Sequence, residues 1–117
     1  PLADYDGPVP LCADESCLDR ASLAQVTGRY AYINIKLDKT GGLTEALALA
    51  TQAEAAGLGI MVGCMTGTSL AMAPAFLVAQ RARFIDLDGP LLLAQDRPHG
   101  MRYADGMVHP PEPQLWG

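Results

Sequence analysis

The chain has 117 residues, enough for one domain with one hydrophobic core. Half of them are hydrophobic and 18% are charged, which excludes a disordered tail. A net charge of −5 with only eight scattered Lys and Arg excludes a nucleic-acid surface, and no apolar run reaches membrane-spanning length or reads as a signal peptide.

Residues 9–13 (VPLCA) predict a short buried strand, and 18–27 a short helix with Leu18, Leu23 and Val26 inward. Residues 31–36 (AYINIK) predict a second strand, followed by a turn at TGG. Residues 43–56 are the clearest helix: Leu43, Leu47 and Ala50 recur at helical spacing, Glu45 and Glu54 point outward, and Gly57 supplies a C-terminal stop. Residues 58–63 (LGIMVG) predict a third strand. The next helix spans 68–81, with Thr68 or Ser69 as its N-cap and Pro74 marking a kink or a late start. A fourth strand is predicted at 83–87 (RFIDL). Strands recurring every ~23–27 residues between helices argue for parallel pairing with right-handed crossovers. An open doubly wound sheet and a segment of a (β/α)8 barrel both fit. KTGG and VGCMTGTS match neither glycine-rich nucleotide-binding pattern.

The tail, 89–117, breaks this repeat and is rich in Pro and Gly. MRYADGMVH predicts a hairpin turning at Ala104-Asp105-Gly106, and Trp116 is expected to anchor the chain end on another surface. The chain divides on this reading into 1–88, carrying the βα units, and the tail at 89–117. Cys12, Cys17 and Cys64 form no C-x-x-C and read as reduced, partly buried thiols of a cytoplasmic protein. His99 and His109 both lie in the tail, which argues against a zinc site. Opening on Pro1, within about ten residues of a strand, the sequence reads as a piece of something longer.

Parallel α/β proteins gather their chemistry at the C-terminal ends of the strands. Four successive strand ends here carry Asp14 and Glu15, then Lys36 with Asp38 and Lys39, then Cys64, Met65, Thr66 and Thr68, then Asp86 and Asp88. Taken singly, the acids read as helix caps or turn residues and Lys36 as a solvated strand end. Taken together, they point to a site. A divalent cation would explain the first acid, a substrate ammonium would explain Asp86 and Asp88, and a lysine between them would serve as a base. Those two lie at i and i+2, and without a cation between them they repel.

CADES, INIKLDKTGG, MVGCMTGTSLAMAPA and FIDLDGPLLL resemble, in order and spacing, the C-terminal half of dipeptide epimerases, enolase-superfamily enzymes of the muconate-lactonizing subgroup. The resemblance runs from about residue 8 to the end of the chain. It implies the last four βα units of a (β/α)8 TIM-type barrel. It also implies Asp14 as a metal ligand, Glu15 as the neighbouring acid that supports the site, and Lys36 as the acid/base. Asp86 and Asp88 would hold the α-ammonium of a dipeptide, and Cys64, Met65 and Thr66 would line the pocket. Superfamily members pair a Lys or His base with Mg²⁺, so Mg²⁺ and a proton transfer at the α-carbon of the dipeptide's C-terminal residue are implied too. The Lewis acid stabilises the enediolate, while a nearby cation and desolvation lower the lysine's pKa.

A complete barrel takes about 250 residues, so the family's capping domain, its first four strands, the second lysine and two further metal carboxylates fall outside this sequence. The chain is therefore expected to pair with that missing portion or with a second copy of itself, and to be inactive alone. Related subgroup activities, such as a cycloisomerase, an o-succinylbenzoate synthase or an N-acylamino-acid racemase, would share the Asp14 and Lys36 roles without needing both aspartates. A half-barrel serving only as an assembly module would need neither role.

Overall fold

The computed structural model describes residues 4–117. Four strands form one sheet in the order β1 (Cys12–Ala13), β2 (Tyr32–Ile35), β3 (Gly59–Val62) and β4 (Phe84–Ile85). Every adjacent pair is parallel, because a helical crossover brings the chain back before each new strand. The crossovers are α1 (Leu23–Val26), the short α2 (Leu37–Thr40) followed by α3 (Leu43–Ala55), and α4 (Ser69–Ala79).

Side chains alternate along the strands. Ile33, Ile35, Ile60 and Val62 are buried in the core with Ala46, Leu49, Ala50 and Ala53 of α3 and Met72, Ala73, Ala75 and Val78 of α4. The alternate residues line the other face. There Tyr32 and Phe84 meet edge to face, their ring centroids 5.3 Å apart. Gly59 leaves them room: a Cβ on it would come within 2.3 Å of the Tyr32 ring. Phe84 and Ile85 are about half exposed, so β4 is covered on neither side.

The helices depart from expectation in informative ways. Residues 18–22 form turns rather than the first turns of α1. The Ser22 hydroxyl accepts the backbone N–H groups of Leu18 and Asp19, and the Asp19 carboxylate accepts Ser22 N–H, a local arrangement that competes with helix. Leu18 is consequently exposed rather than inward. The buried stripe of α3 is mostly alanine, with Leu43 and Leu47 on its flank, because α3 packs closely against α4 and the sheet. It ends as expected: Gly57 has φ +79°, Leu58 N–H donates to Ala53 O and Gly57 N–H to Glu54 O, a Schellman closure. α4 runs through Pro74 from Ser69 onward. β4 is shorter than the expected 83–87.

After β4 the chain makes a 3₁₀ turn (Gly89–Leu92) and then a hairpin of β5 (Tyr103–Ala104) and β6 (Met107–Val108). Asp105 and Gly106 both have positive φ, as a type I′ two-residue hairpin requires. In the tail Met101 is buried and Leu115 packs against the core, while Trp116 stays exposed. Among the described residues, no helix is long and apolar enough to cross a membrane.

Candidate active site

Asp14 directly follows β1, and Lys36 directly follows β2, so the parallel register brings them to the same rim. Lys36 Nζ lies 2.9 Å from Asp14 Oδ2. α2 then turns the chain once, and three residues on a helix nearly complete that turn. Lys39 thereby returns to the same acid, donating to Asp14 Oδ1 and, at 2.8 Å, to its backbone carbonyl. The Lys39 side chain is only 6% exposed. From β2, two residues before Lys36 and on the same face, Asn34 donates to Asp14 Oδ2 at 3.3 Å, and its own Oδ1 is buried without a partner.

This arrangement fixes the charges. Burial pushes the Asp14 carboxyl up, but hydrogen bonds from Lys39 and Lys36 outweigh it and hold the acid below its usual range. Lys36 is held above its usual range, chiefly by its hydrogen bond to Asp14 and against the effect of burial. The carboxylate beside the lysine offers a counter-charge that burial does not overcome. Glu15 is well exposed, with Oε1 4.0 Å from Lys36 Nζ, at the limit of an ion pair.

Past β3, Cys64 is half-buried and its thiol is pushed up by burial, against an opposing hydrogen bond from Gly89 N–H. Met65 and Thr66 are exposed beside it. The loops after β3 and β4 interlock at Gly89, where a Cβ would come within 2.8 Å of Met65 O and 3.3 Å of Cys64 Sγ. Past β4, Asp86 and Asp88 are both exposed and lie close enough for Asp88 to act on Asp86, although the chain between them has left the extended form expected from the sequence. Burial and then the charge and hydrogen bond of Asp88 raise the Asp86 carboxyl, and Lys36 pulls the other way. The rim thus runs from a neutralised acid through a protonated lysine to a pair of acids short of positive charge.

Two features were not assigned a role from the sequence. Lys39 was visible at the rim, and its spacing of one helical turn from Lys36 is the signal for its return to Asp14. Asn34 gave no signal, since an amide within an apolar strand reads as part of the alternation. A divalent metal fits this chain only in part. Asp14 offers one carboxylate whose oxygens the two lysines already engage, and among the described residues no group of three His, Cys, Asp or Glu converges to hold an ion.

Residues 2–114 match a family described as enolase C-terminal domain-like. The chain is 56% identical over 116 residues to N-acetyl-D-glutamate racemase from Pseudoalteromonas sp, a match covering 99% of this chain and 37% of that protein. It is 50% identical over 108 residues to L-Ala-D/L-Glu epimerase from Escherichia coli (strain K12), covering 92% of this chain and 34% of that one. It superposes with a TM-score of 0.95 and 59% identity on an enolase family member from Agrobacterium tumefaciens with homology to dipeptide epimerases. That structure contains bound sodium and L-Ala-L-Glu, and the match covers 99% of this chain and 36% of that one. The chain spans about a third of the length of the curated relatives it matches.

Proposed function

The chain belongs to the enolase C-terminal domain-like family, and on that premise we propose that it is the C-terminal part of a dipeptide epimerase. The reaction is a proton transfer at the α-carbon of the C-terminal residue of a dipeptide such as L-Ala-L-Glu. Lys36 is the acid/base on one face of that carbon. Glu15 supports the site, and Cys64, Met65 and Thr66 line the pocket. Asp14 is one of several carboxylates for Mg²⁺, the others coming from outside this chain; the metal would supply charge stabilisation at the substrate carboxylate. Proton return from the opposite face needs a second acid/base outside this chain as well. The partner is the remainder of the barrel with its capping domain, or a second copy of the chain. Three free cysteines suit the reducing cytoplasm.

The observation that carries this reading is the Asp86–Asp88 pair. Both acids are exposed, so water screens their repulsion, yet partial desolvation and then the charge of Asp88 still raise the Asp86 carboxyl. A substrate ammonium seated between them would offset that effect, and Lys36, bound to Asp14, does so only at a distance. Selecting a free ammonium separates a dipeptide from an N-acylated amino acid.

A second reading is favoured by the 56% identity to N-acetyl-D-glutamate racemase, whose named substrate has no free amine. One experiment separates the two. The chain is fused to the N-terminal two-thirds of the Escherichia coli relative, and α-proton exchange is followed in D₂O with Mg²⁺ and either L-Ala-L-Glu or N-acetyl-glutamate. The epimerase reading expects exchange with the dipeptide. It expects Asp86→Asn with Asp88→Asn to lower kcat/KM by about two orders of magnitude or more, since each charge-assisted contact is worth roughly 1.5–3 kcal/mol. Unchanged dipeptide turnover in that double variant, or exchange with the acetylated substrate alone, refutes it. The 117-residue chain without the fusion is expected to exchange no proton.

A further inference from the structure

The tail after Asp88 does not simply leave the rim. It crosses to α4, binds there, and returns to the residue between the two aspartates. Asp96 reaches the start of α4, where Ser69 N–H donates to Asp96 Oδ1 at 2.9 Å and the Ser69 hydroxyl donates to Asp96 Oδ2. The same hydroxyl accepts Met101 N–H at 2.8 Å, and Arg97 N–H donates to Asp96 Oδ1 at 2.8 Å. Ser69 is fully buried. Gly100 makes the approach possible, since a Cβ there would come within 2.5 Å of Asp96 Oδ2. Two residues past buried Met101, the Tyr103 hydroxyl donates to Leu87 O at 2.7 Å. Leu87 is buried, and Asp86 N–H on its other side donates to Val62 O at 2.9 Å.

We propose that residues 93–103 are a strap that sets the geometry of the substrate-facing rim, with Tyr103 and Asp96 as positioning residues. Tyr103 acts through the Leu87 carbonyl on the spacing of Asp86 and Asp88. Asp96 acts through Ser69 on the loop carrying Cys64, Met65 and Thr66. Both anchors run from a side chain to backbone or to a buried hydroxyl, so they constrain position. Burial pushes the Tyr103 hydroxyl up to about 12, so it is a donor at neutral pH. The strap's importance for specificity rests on the ammonium-holding role of Asp86 and Asp88.

The test reads geometry rather than turnover, so its failure and the failure of that role are distinguishable. NMR amide exchange and carboxyl-carbon titrations are recorded on the 117-residue chain as wild type, Tyr103→Phe and Asp96→Asn. Tyr103→Phe is expected to speed exchange at Asp86 and Leu91 about tenfold, and to leave Ile35 and Val62 within about twofold. It is also expected to move the Asp86 titration towards that of an isolated carboxyl while Ile35 and Val62 stay protected, which separates the change from unfolding. Asp96→Asn is expected to speed exchange at Ser69 and Met101 and, through the shared strap, at Asp86. Should Asp96→Asn unfold the chain, Ser69→Ala reads the same link. Unchanged exchange at Asp86 and Leu91 in Tyr103→Phe, or an equal loss of protection at Ile35 and Val62, overturns the proposal.

Discussion

Lys39 is the residue on which the geometry of the rim turns. It is a nearly buried ammonium with two acceptors, both on Asp14. Losing one partner of a fully buried ion pair costs about 3–5 kcal/mol. That figure is too large here, because the Asp14 side chain is a third exposed and Lys36 remains as its second cation. Lys39→Met is therefore expected to lower the unfolding free energy by about 1–2 kcal/mol in urea titrations, most of it from the abandoned carbonyl and carboxylate. Asp96 gives a pH signature of its own. Burial pushes its carboxyl up, but hydrogen bonds from Ser69 and Arg97 win and lower it below the ordinary 3.8. A group lowered on folding stabilises fully above its unfolded value, and that stability is lost as the pH falls through the folded value. Wild type is thus expected to lose stability below about pH 4 more steeply than Asp96→Asn, whose deficit is largest near neutrality; equal slopes in the two acid melts would contradict this. At this scale the sequence disclosed residue types and strand-end positions well. Asp14, Lys36, Asp86 and Asp88 were all legible, because a charge at the end of an apolar strand stands out. Asp96 and Tyr103 were not, because their partners lie across a fold that no local pattern encodes.

Among the elements, α4 shows how a tertiary contact replaces a local one. Thr68 is the N-cap and Ser69 the first helical residue, as the sequence suggests, yet Thr68 makes no capping hydrogen bond through its side chain. The carboxylate of Asp96, distant in sequence, accepts Ser69 N–H and does that work instead. Replacing an N-cap threonine normally costs about 1 kcal/mol. Thr68→Ala is expected to stay within about 0.5 kcal/mol of wild type, like an ordinary surface change. Ser69→Ala is expected to cost about 1–3 kcal/mol, since it strips a hydrogen bond from Asp96 and leaves Met101 N–H without its acceptor. Chemical denaturation of the two variants side by side checks this, and the reverse order would mean that the helix is capped locally. The same logic sorts what was legible in the other elements. The end of α3 and the turn of the hairpin rest on Gly57 and on Asp105-Gly106, whose backbone conformations are written in the residue types. α1 starts later than its apolar pattern suggests because Ser22 and Asp19 satisfy the backbone by themselves and leave no reason to begin a helix earlier.

As a whole molecule the chain carries a sheet that ends on both sides. β1 and β4 each have one strand neighbour among the described residues, so each presents an unpaired edge. Beside β4, an open groove of about 830 Å³ runs between α4 and the hairpin, lined in part by Phe76, Ile85, Leu91, Met107 and Val108. Phe84, Ile85, Leu91 and Leu92 are each between 48% and 69% exposed. The radius of gyration, 14.9 Å, exceeds the roughly 13 Å of a compact domain of this length, which fits a body with an uncovered flank. Contiguous apolar surface next to an open strand edge attracts whatever strand is at hand. In a solution of this chain alone, that is another copy. Sedimentation equilibrium is expected to give a weight-average mass that rises above the monomer as concentration increases. Ile85 is the residue to change, because it lies on the edge strand and is half exposed, so replacing it disturbs the core little. A lysine at an edge position opposes strand addition by placing a hydrated charge where the next strand must lie. Ile85→Lys is accordingly expected to return the chain to monomer mass across the same concentrations, with its circular dichroism unchanged. A wild type that stays monomeric throughout would mean that the exposed flank is too short or too twisted to recruit a strand. An Ile85→Lys variant that still associates would move the contact to β1, at the opposite end of the sheet.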